Sequence, residues 1–443
     1  MKINGPIQTP KMFLQPRRMD KKTVLNALGH FDGFHVGASM PSPFVSFVQD
    51  VGKPFFIDPM VYMFALSPDH VLEQETKKIR QSMSTLAKIY SPFLTKIIGK
   101  TALTPDDVMQ SRSLLEEITH NSLEYQRHKF EPEQPALINR YFDKYDAFES
   151  ESGVEHTVQA SEPSLLMAPF FYVSGISDSW YKVGLQCARL ATEHRKLGEQ
   201  LYVTIFINKE TLEDLSQIQR IALDYSSLES DGVILWVNGL NEESAPPAQL
   251  SNLLYLVAGI RKSGKSVIKL YGGFLSIMMY ARGLSAFSCS LSYGTSRDVF
   301  AYKWIAPKPT SPKFYIPGLH KAYSLEEASH VLKIFPFLRC NCAVCRGSYG
   351  EDMNRFSDEM KKDGYCQNHF LNARKRELEY FSRSGIEGAL SEINETLERL
   401  HKKNAKGARH LTKWRDVFST GKPVSLGADP FLKRIFSRSM PLI

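Results

Sequence analysis

The sequence predicts an α/β fold built on a (β/α)₈ barrel, and three observations predict it. Short apolar runs of strand type alternate with helix-type segments over most of the chain, which implies βαβ units and a parallel sheet. Eight such runs are present, the number that closes a barrel. After the eighth run the composition changes, first to a Pro-rich link and then to a cysteine cluster, which marks a separate C-terminal subdomain. A doubly wound open sheet is the alternative that the same alternation allows.

Taken in order, residues 1–30 read as an N-terminal extension whose start, MKINGPIQTPKMF, lacks the apolar core of a signal peptide. The expected barrel occupies 31–306. Its strand-type runs are GFHVGA (33–38), PFFID (54–58), LLMAPFFYV (165–173), LYVTIFI (201–207), GVILWV (232–237), SVIKLY (266–271), SAFSCSL (285–291) and VFAYKWI (299–305). Helical stretches such as SWYKVGLQCARLATEHRKLG and PAQLSNLLYLVAGIRKSG separate them. The interval between the second and third runs, 66–164, is too long for a bare loop and reads as a helical insertion. The Pro-rich APKPTSPKFYIPG opens a subdomain over 307–381, and 382–443 reads as a basic helical region.

Hydrophobic residues make up 43% of the 443 and charged residues 23%, enough apolar mass for a real core. No apolar run approaches the ~20 residues of a spanning helix, so no membrane is expected. Six cysteines in so long a chain do not make a disulfide scaffold, and a reducing, cytoplasmic setting follows as the expectation. The net charge of +8 favours polyanionic partners. From His401 to Arg415 the chain carries Lys402, Lys403, Lys406, Arg409, Lys413 and Arg415 without one acidic residue. Such a run is either a phosphate-contacting segment or a solvated helix end.

The sequence GIRKSGKS (259–266) has the letters of a phosphate-binding loop, but a helix-type segment precedes it and a strand-type run follows. A working loop needs the reverse order, so that a helix N-terminus faces the phosphates. The cysteine cluster is more specific. Cys340, Cys342 and Cys345 have C-x-C-x₂-C spacing, which lets one tight turn aim three sulfurs at a point. Tetrahedral zinc needs a fourth ligand, and His369 at the head of a helix-like segment supplies it, with Cys366 as competitor. A disulfide or reduced buried thiols are the bland alternatives. Four protein ligands leave no open position, so the zinc would be structural.

A barrel followed by C-x-C-x₂-C and a distant His heading a helix resembles the tRNA-guanine transglycosylase superfamily, which includes the queuosine and archaeosine enzymes and a branch that places 7-deazaguanines in DNA. The resemblance runs from about residue 31 to 381 and is specific at the cysteine motif and at YGGFLSIMMYARGLSAFSCSLSYG. It implies exchange of a purine or 7-deazapurine base at a nucleoside C1′ in tRNA or DNA. One aspartate traps the oxocarbenium-like centre covalently, while a second moves protons to and from the bases. The base must leave its stack to reach such a site.

By this resemblance Asp58, ending the second run, stands where the family has its acid/base aspartate, although Asp before Pro59 also makes a good helix N-cap. In RGLSAFSC, Arg282, Gly283, Phe287 and Cys289 match the family run, but Ser288 replaces the nucleophilic aspartate. A serine is a poor nucleophile without a base, and none adjoins it in sequence. The third run offers Phe170, Phe171 and Tyr172 where the family reads the purine with an aspartate. Further barrel-mouth candidates are Asn208, Trp236, Asn238, Gly239, Tyr271, Gly272 and Gly273, because barrel sites form at the C-terminal ends of strands. The glycines either admit a ligand or only make turns. Arg374, Lys375 and Arg376, with Lys402, Lys403, Lys406 and Arg409, form the expected nucleic-acid-contacting set. The alternative function is a catalytically silent relative that binds nucleic acid or a partner subunit, in a homo- or hetero-oligomer.

Overall fold

The computed structural model describes residues 10–16, 21–40, 42–128 apart from 74, 77, 100 and 110, 162–291, 295–301, 312–402 apart from 363, and 408–420. Eight parallel strands form a sheet in the order β3-β2-β1-β8-β7-β6-β5-β4. They are β1 Lys11–Gln15, β2 Gly33–Gly37, β3 Phe55–Asp58, β4 Leu166–Met167, β5 Leu201–Asn208, β6 Gly232–Asn238, β7 Ser266–Lys269 and β8 Ala286–Ser290. The edge strands β3 and β4 are joined by the Ser164 N–H donating to the Phe55 carbonyl at 2.8 Å, so the sheet is a nearly closed barrel. β5 and β6 are near-continuous apolar runs because helices cover one face and the barrel interior the other.

Three strand assignments need correction. The first strand is Lys11–Gln15, inside the segment that sequence patterning assigns to an extension, and it pairs with both β2 and β8. It is short and flanked by Pro10 and Pro16, which mask it in sequence, while central placement in the sheet buries it. The expected strand at 299–305 is a bend at 299–301, and its remainder lies outside the described residues. The expected run at 165–173 also keeps only two residues of regular ladder. Val173 N–H returns to the Phe206 carbonyl at 3.0 Å after the chain has bowed away.

Parallel register places Phe13 opposite both Gly33 and Ser288, His35 opposite Phe56, and Gly37 opposite Asp58. Register partners share a face, so these side chains point into the barrel. Gly232 is required there, because a Cβ would collide with the Tyr202 ring. Between β3 and β4 lie short helices and the helix Arg112–Arg127; residues 129–161 are outside the described set.

Helix Pro247–Lys262 ends at Ser263–Gly264, with Gly264 at φ 86, and strand β7 follows. The phosphate-loop lettering therefore sits at a helix end. Lys265 is half-buried and donates to the Leu228 and Ser230 carbonyls. After the barrel come a hairpin of β9 Lys313–Ile316 and β10 Lys321–Ser324, then helix Leu325–Ile334, which starts with a Ser324–Glu327 capping box. The helical segment Tyr365–His401 straddles the expected boundary at 381 and breaks at Gly385, φ 62. Helix Arg409–Ser419 returns to the barrel. Trp414 Nε1 donates to the Glu242 carbonyl at 2.9 Å, Lys413 Nζ bonds the Glu243 and Ala245 carbonyls, and Arg282 holds the Phe418 carbonyl at 3.1 Å. Among the described residues, no helix is long and apolar enough to cross a membrane.

Candidate metal centre and barrel mouth

The ligand atoms of Cys340, Cys342, Cys345 and His369 all lie within 4.8 Å of one another. The turn at 340–342 leads into helix Ala343–Ser348, which brings Cys345 back beneath the first two sulfurs. His369 comes from the first turns of the Tyr365 helix and is fully buried. Its Nδ1 stands 3.5 Å from Cys342 Sγ and 3.3 Å from Cys345 Sγ. Its Nε2 meets the Tyr315 carbonyl at 2.6 Å, which puts a proton on Nε2 and turns Nδ1 toward the sulfurs. Phe314 stacks on the ring at 4.1 Å and fixes its plane. Cys366, the competing ligand, donates its thiol to the Met360 carbonyl and stands outside the cluster. Crowding splits the thiols: contact with Cys340 pulls the Cys342 thiol far down, and contact with the same residue pushes Cys345 far up. Sulfurs so close cannot all ionise unless a cation neutralises them, and this donor set can hold a metal ion.

At the mouth of the barrel, Asp58 ends β3 and is 2% exposed. Its carboxylate accepts the Met60 N–H at 2.9 Å and the Tyr62 hydroxyl at 3.3 Å. Burial lifts its pKa to about 6, against the pull of the Met60 N–H, the Arg297 charge and the Tyr62 hydroxyl. Arg297 reaches the mouth from the loop after β8. Asn238 clamps that loop, bonding Asp298 at 3.1 Å and the Val299 N–H at 2.9 Å, while the Gly239 N–H holds the Arg297 carbonyl. Arg297 Nη1 donates to the Tyr271 hydroxyl at 2.8 Å, and the guanidinium lies over the Trp236 and Tyr271 rings. Met60 (φ 54) and Tyr271 (φ 56) are held in the left-handed region, a strain that clusters at functional sites.

Ser288 has no exposure, but the fold gives it the neighbour that its sequence context lacks. His35 Nδ1, from 253 positions away, is 3.3 Å from Ser288 Oγ, which also accepts the Tyr271 N–H. Burial and the Arg297 charge drive the His35 pKa down to about 3, so the imidazole is neutral. Above this pair, Tyr62, Phe170, Phe206 and Trp236 pack ring against ring, with Phe206 stacked on Trp236 at 3.9 Å.

Of the other sequence candidates, Trp236 and Asn238 are at the mouth. Phe171 is not, since it turns outward to stack on Trp180 at 4.3 Å; its neighbour Phe170 faces inward. Asn208 caps the turn that follows β5 by accepting the Lys209 N–H. Gly272 and Gly273 serve packing, because a Cβ at either would press on Ser276 Oγ or Glu242 Oε2. Arg374 is 1% exposed, paired with Glu377 at 2.6 Å and laid on the Tyr315 ring, so it builds the junction core and cannot contact phosphate. Arg376 is exposed and bonds Asn341 beside the metal cluster; Lys375, Lys402 and Arg409 are at the surface. Lys403 and Lys406 lie outside the described residues. His35 and Arg297 carry no local motif, and the strand order β3-β2-β1-β8 brings them to Asp58 and Ser288.

Neither a protein-family model nor a curated protein matches the chain.

Proposed function

We propose that this protein is a divergent transglycosylase-type protein that takes a purine or 7-deazapurine base of tRNA or DNA at its barrel mouth, with Asp58 as the proton-transferring group. The observation that carries the reading is Asp58 itself. A carboxyl buried at the C-terminal end of a barrel strand and lifted to about 6 suits acid/base work near neutral pH, beside its bonds to the Met60 N–H and the Tyr62 hydroxyl. In this reading zinc fills the Cys340, Cys342, Cys345 and His369 set. Closed four-ligand coordination makes it structural, holding the subdomain that carries Arg376. The aromatic packing over Asp58 must part to admit a base.

A second reading has its own support. Ser288, at the position of the family nucleophile, is fully buried and held by the Tyr271 N–H and His35, which fits a catalytically silent subunit that binds nucleic acid or a partner chain. Incubation with labelled guanine or 7-deazaguanine and either tRNA or duplex DNA separates the two. Label entering nucleic acid with wild type and not with Asp58→Asn supports exchange. Binding of nucleic acid without incorporation by either protein supports the silent subunit.

A further inference from the structure

Where the barrel meets the metal subdomain, a cavity of about 20 Å³ is lined by Glu242, Thr295, Tyr315, His320, Arg374 and Trp414, among others. That volume has room for a water molecule. Two nitrogens of its lining residues are buried without a protein partner, His320 Nε2 and Arg374 Nε. Their residues are 3% and 1% exposed, so bulk solvent does not serve them. Unpaired polar atoms so deep are costly and ask for a ligand.

The surrounding bonds set what that ligand must offer. Glu377 accepts the Tyr315 hydroxyl at 2.8 Å and Arg374 at 2.6 Å, the pattern of an ionised carboxylate. It also faces His320 Nδ1 at 2.9 Å, so Nδ1 carries a proton, and in the neutral ring Nε2 then presents a lone pair. Arg374 Nε can only donate. The ligand must therefore accept one hydrogen bond and donate another. Its charge is set as well. Arg374 pairs with Glu377, and Lys269 pairs with Glu242 at 2.9 Å, so the buried charges cancel and a neutral ligand is required. His320 stands at φ 50, in the left-handed region that a residue with a Cβ rarely adopts. Its ring is fixed there by stacking on Phe274 and by Glu377.

We propose that this junction cavity is a built site for a single water molecule. The water accepts from Arg374 Nε–H, donates to His320 Nε2 and turns its second O–H to the Glu242 side, so that one molecule joins the barrel, the β9–β10 hairpin and the Tyr365 helix. Two measurements on the full chain test it. A crystal structure at high resolution should show one water within hydrogen-bond distance of both nitrogens, and a bromide soak should leave the cavity without anomalous signal. Nitrogen NMR of ¹⁵N-histidine protein should give His320 the Nδ1–H tautomer at neutral pH. An empty cavity, a bromide peak between the two nitrogens, or an Nε2–H tautomer overturns the proposal.

Discussion

Asp58 and His35 share the barrel interior, and burial moves them in opposite senses of stability. The Asp58 pKa is raised from 3.8 to about 6. Its protonated form is therefore favoured by folding, and the stability this confers is present below about pH 4 and lost as pH rises through 6. His35, lowered to about 3, acts the other way: its contribution is complete above pH 6.5 and lost as pH falls toward 3. The two overlap between pH 4 and 6 and partly mask each other in wild type. Asp58→Asn isolates the first, since His35 is in both proteins. Asparagine keeps an acceptor for the Met60 N–H and removes the buried charge. The variant should be more stable than wild type at pH 7.5 by up to about 3 kcal/mol, and the gap should close near pH 4. Urea unfolding across that range checks it, and a gap that stays constant with pH would show that Asp58 is ionised without penalty. The metal ligands make a simpler residue-scale prediction. Purified protein should carry about one zinc per chain. Cys345→Ser should drop that to near zero by elemental analysis, while Cys366→Ser should leave it unchanged, because the Cys366 thiol is engaged elsewhere.

Helix Arg409–Ser419 is the element whose role sequence describes least well. Its positive charges suggest a solvent-facing segment, but its other face is His410, Leu411, Trp414, Val417 and Phe418, all buried. Lys413, one of the basic run, spends its charge on two backbone carbonyls of the loop after β6. Trp414→Ala should cost about 3–5 kcal/mol in denaturant unfolding, the loss of a large buried side chain, whereas Arg409→Ala on the exposed face should cost under ~0.5 kcal/mol. The Cys₃His cluster, which can hold a metal ion, is legible in the sequence because its three thiols come from six consecutive residues and their spacing is local. Strand β1 was not, since five residues between prolines carry no helix or strand period of their own and gain their partners from β2 and from β8, 275 positions on. Ser288 illustrates the same limit at the site: its lack of a sequence-adjacent base is true, and the neighbouring imidazole comes from a strand at the far end of the barrel sequence.

At the scale of the whole molecule, the barrel mouth and the basic surface beyond it divide the work of the proposed function. Phosphate contacts position nucleic acid without reading it, and they are salt-dependent, with affinity falling by roughly 0.7–0.9 log units per contact for each decade of salt. Arg374 is excluded from that set by its burial and its Glu377 partner, which leaves Arg376, Lys375, Lys402 and Arg409 among the described cations first expected to act. Reversing Lys402, Lys403, Lys406 and Arg409 to Glu should weaken binding to tRNA and to duplex DNA alike and flatten the salt dependence. Arg409 lies on the exposed face of its helix and Lys402 in an exposed turn, so those two changes leave packing intact. Asp58→Asn should do the converse, leaving affinity and salt slope as in wild type while removing any base exchange, because Asp58 is buried beneath the aromatic packing and reaches only a base drawn into the mouth. Filter binding at several salt concentrations measures both effects. If the four-fold reversal binds as tightly as wild type at low salt, the basic run is a solvated helix end and the nucleic acid is held elsewhere, with Arg376 beside the Cys₃His cluster as the next candidate. If Asp58→Asn alone loses affinity, the aspartate supports the fold of the mouth and the acid/base role fails with it.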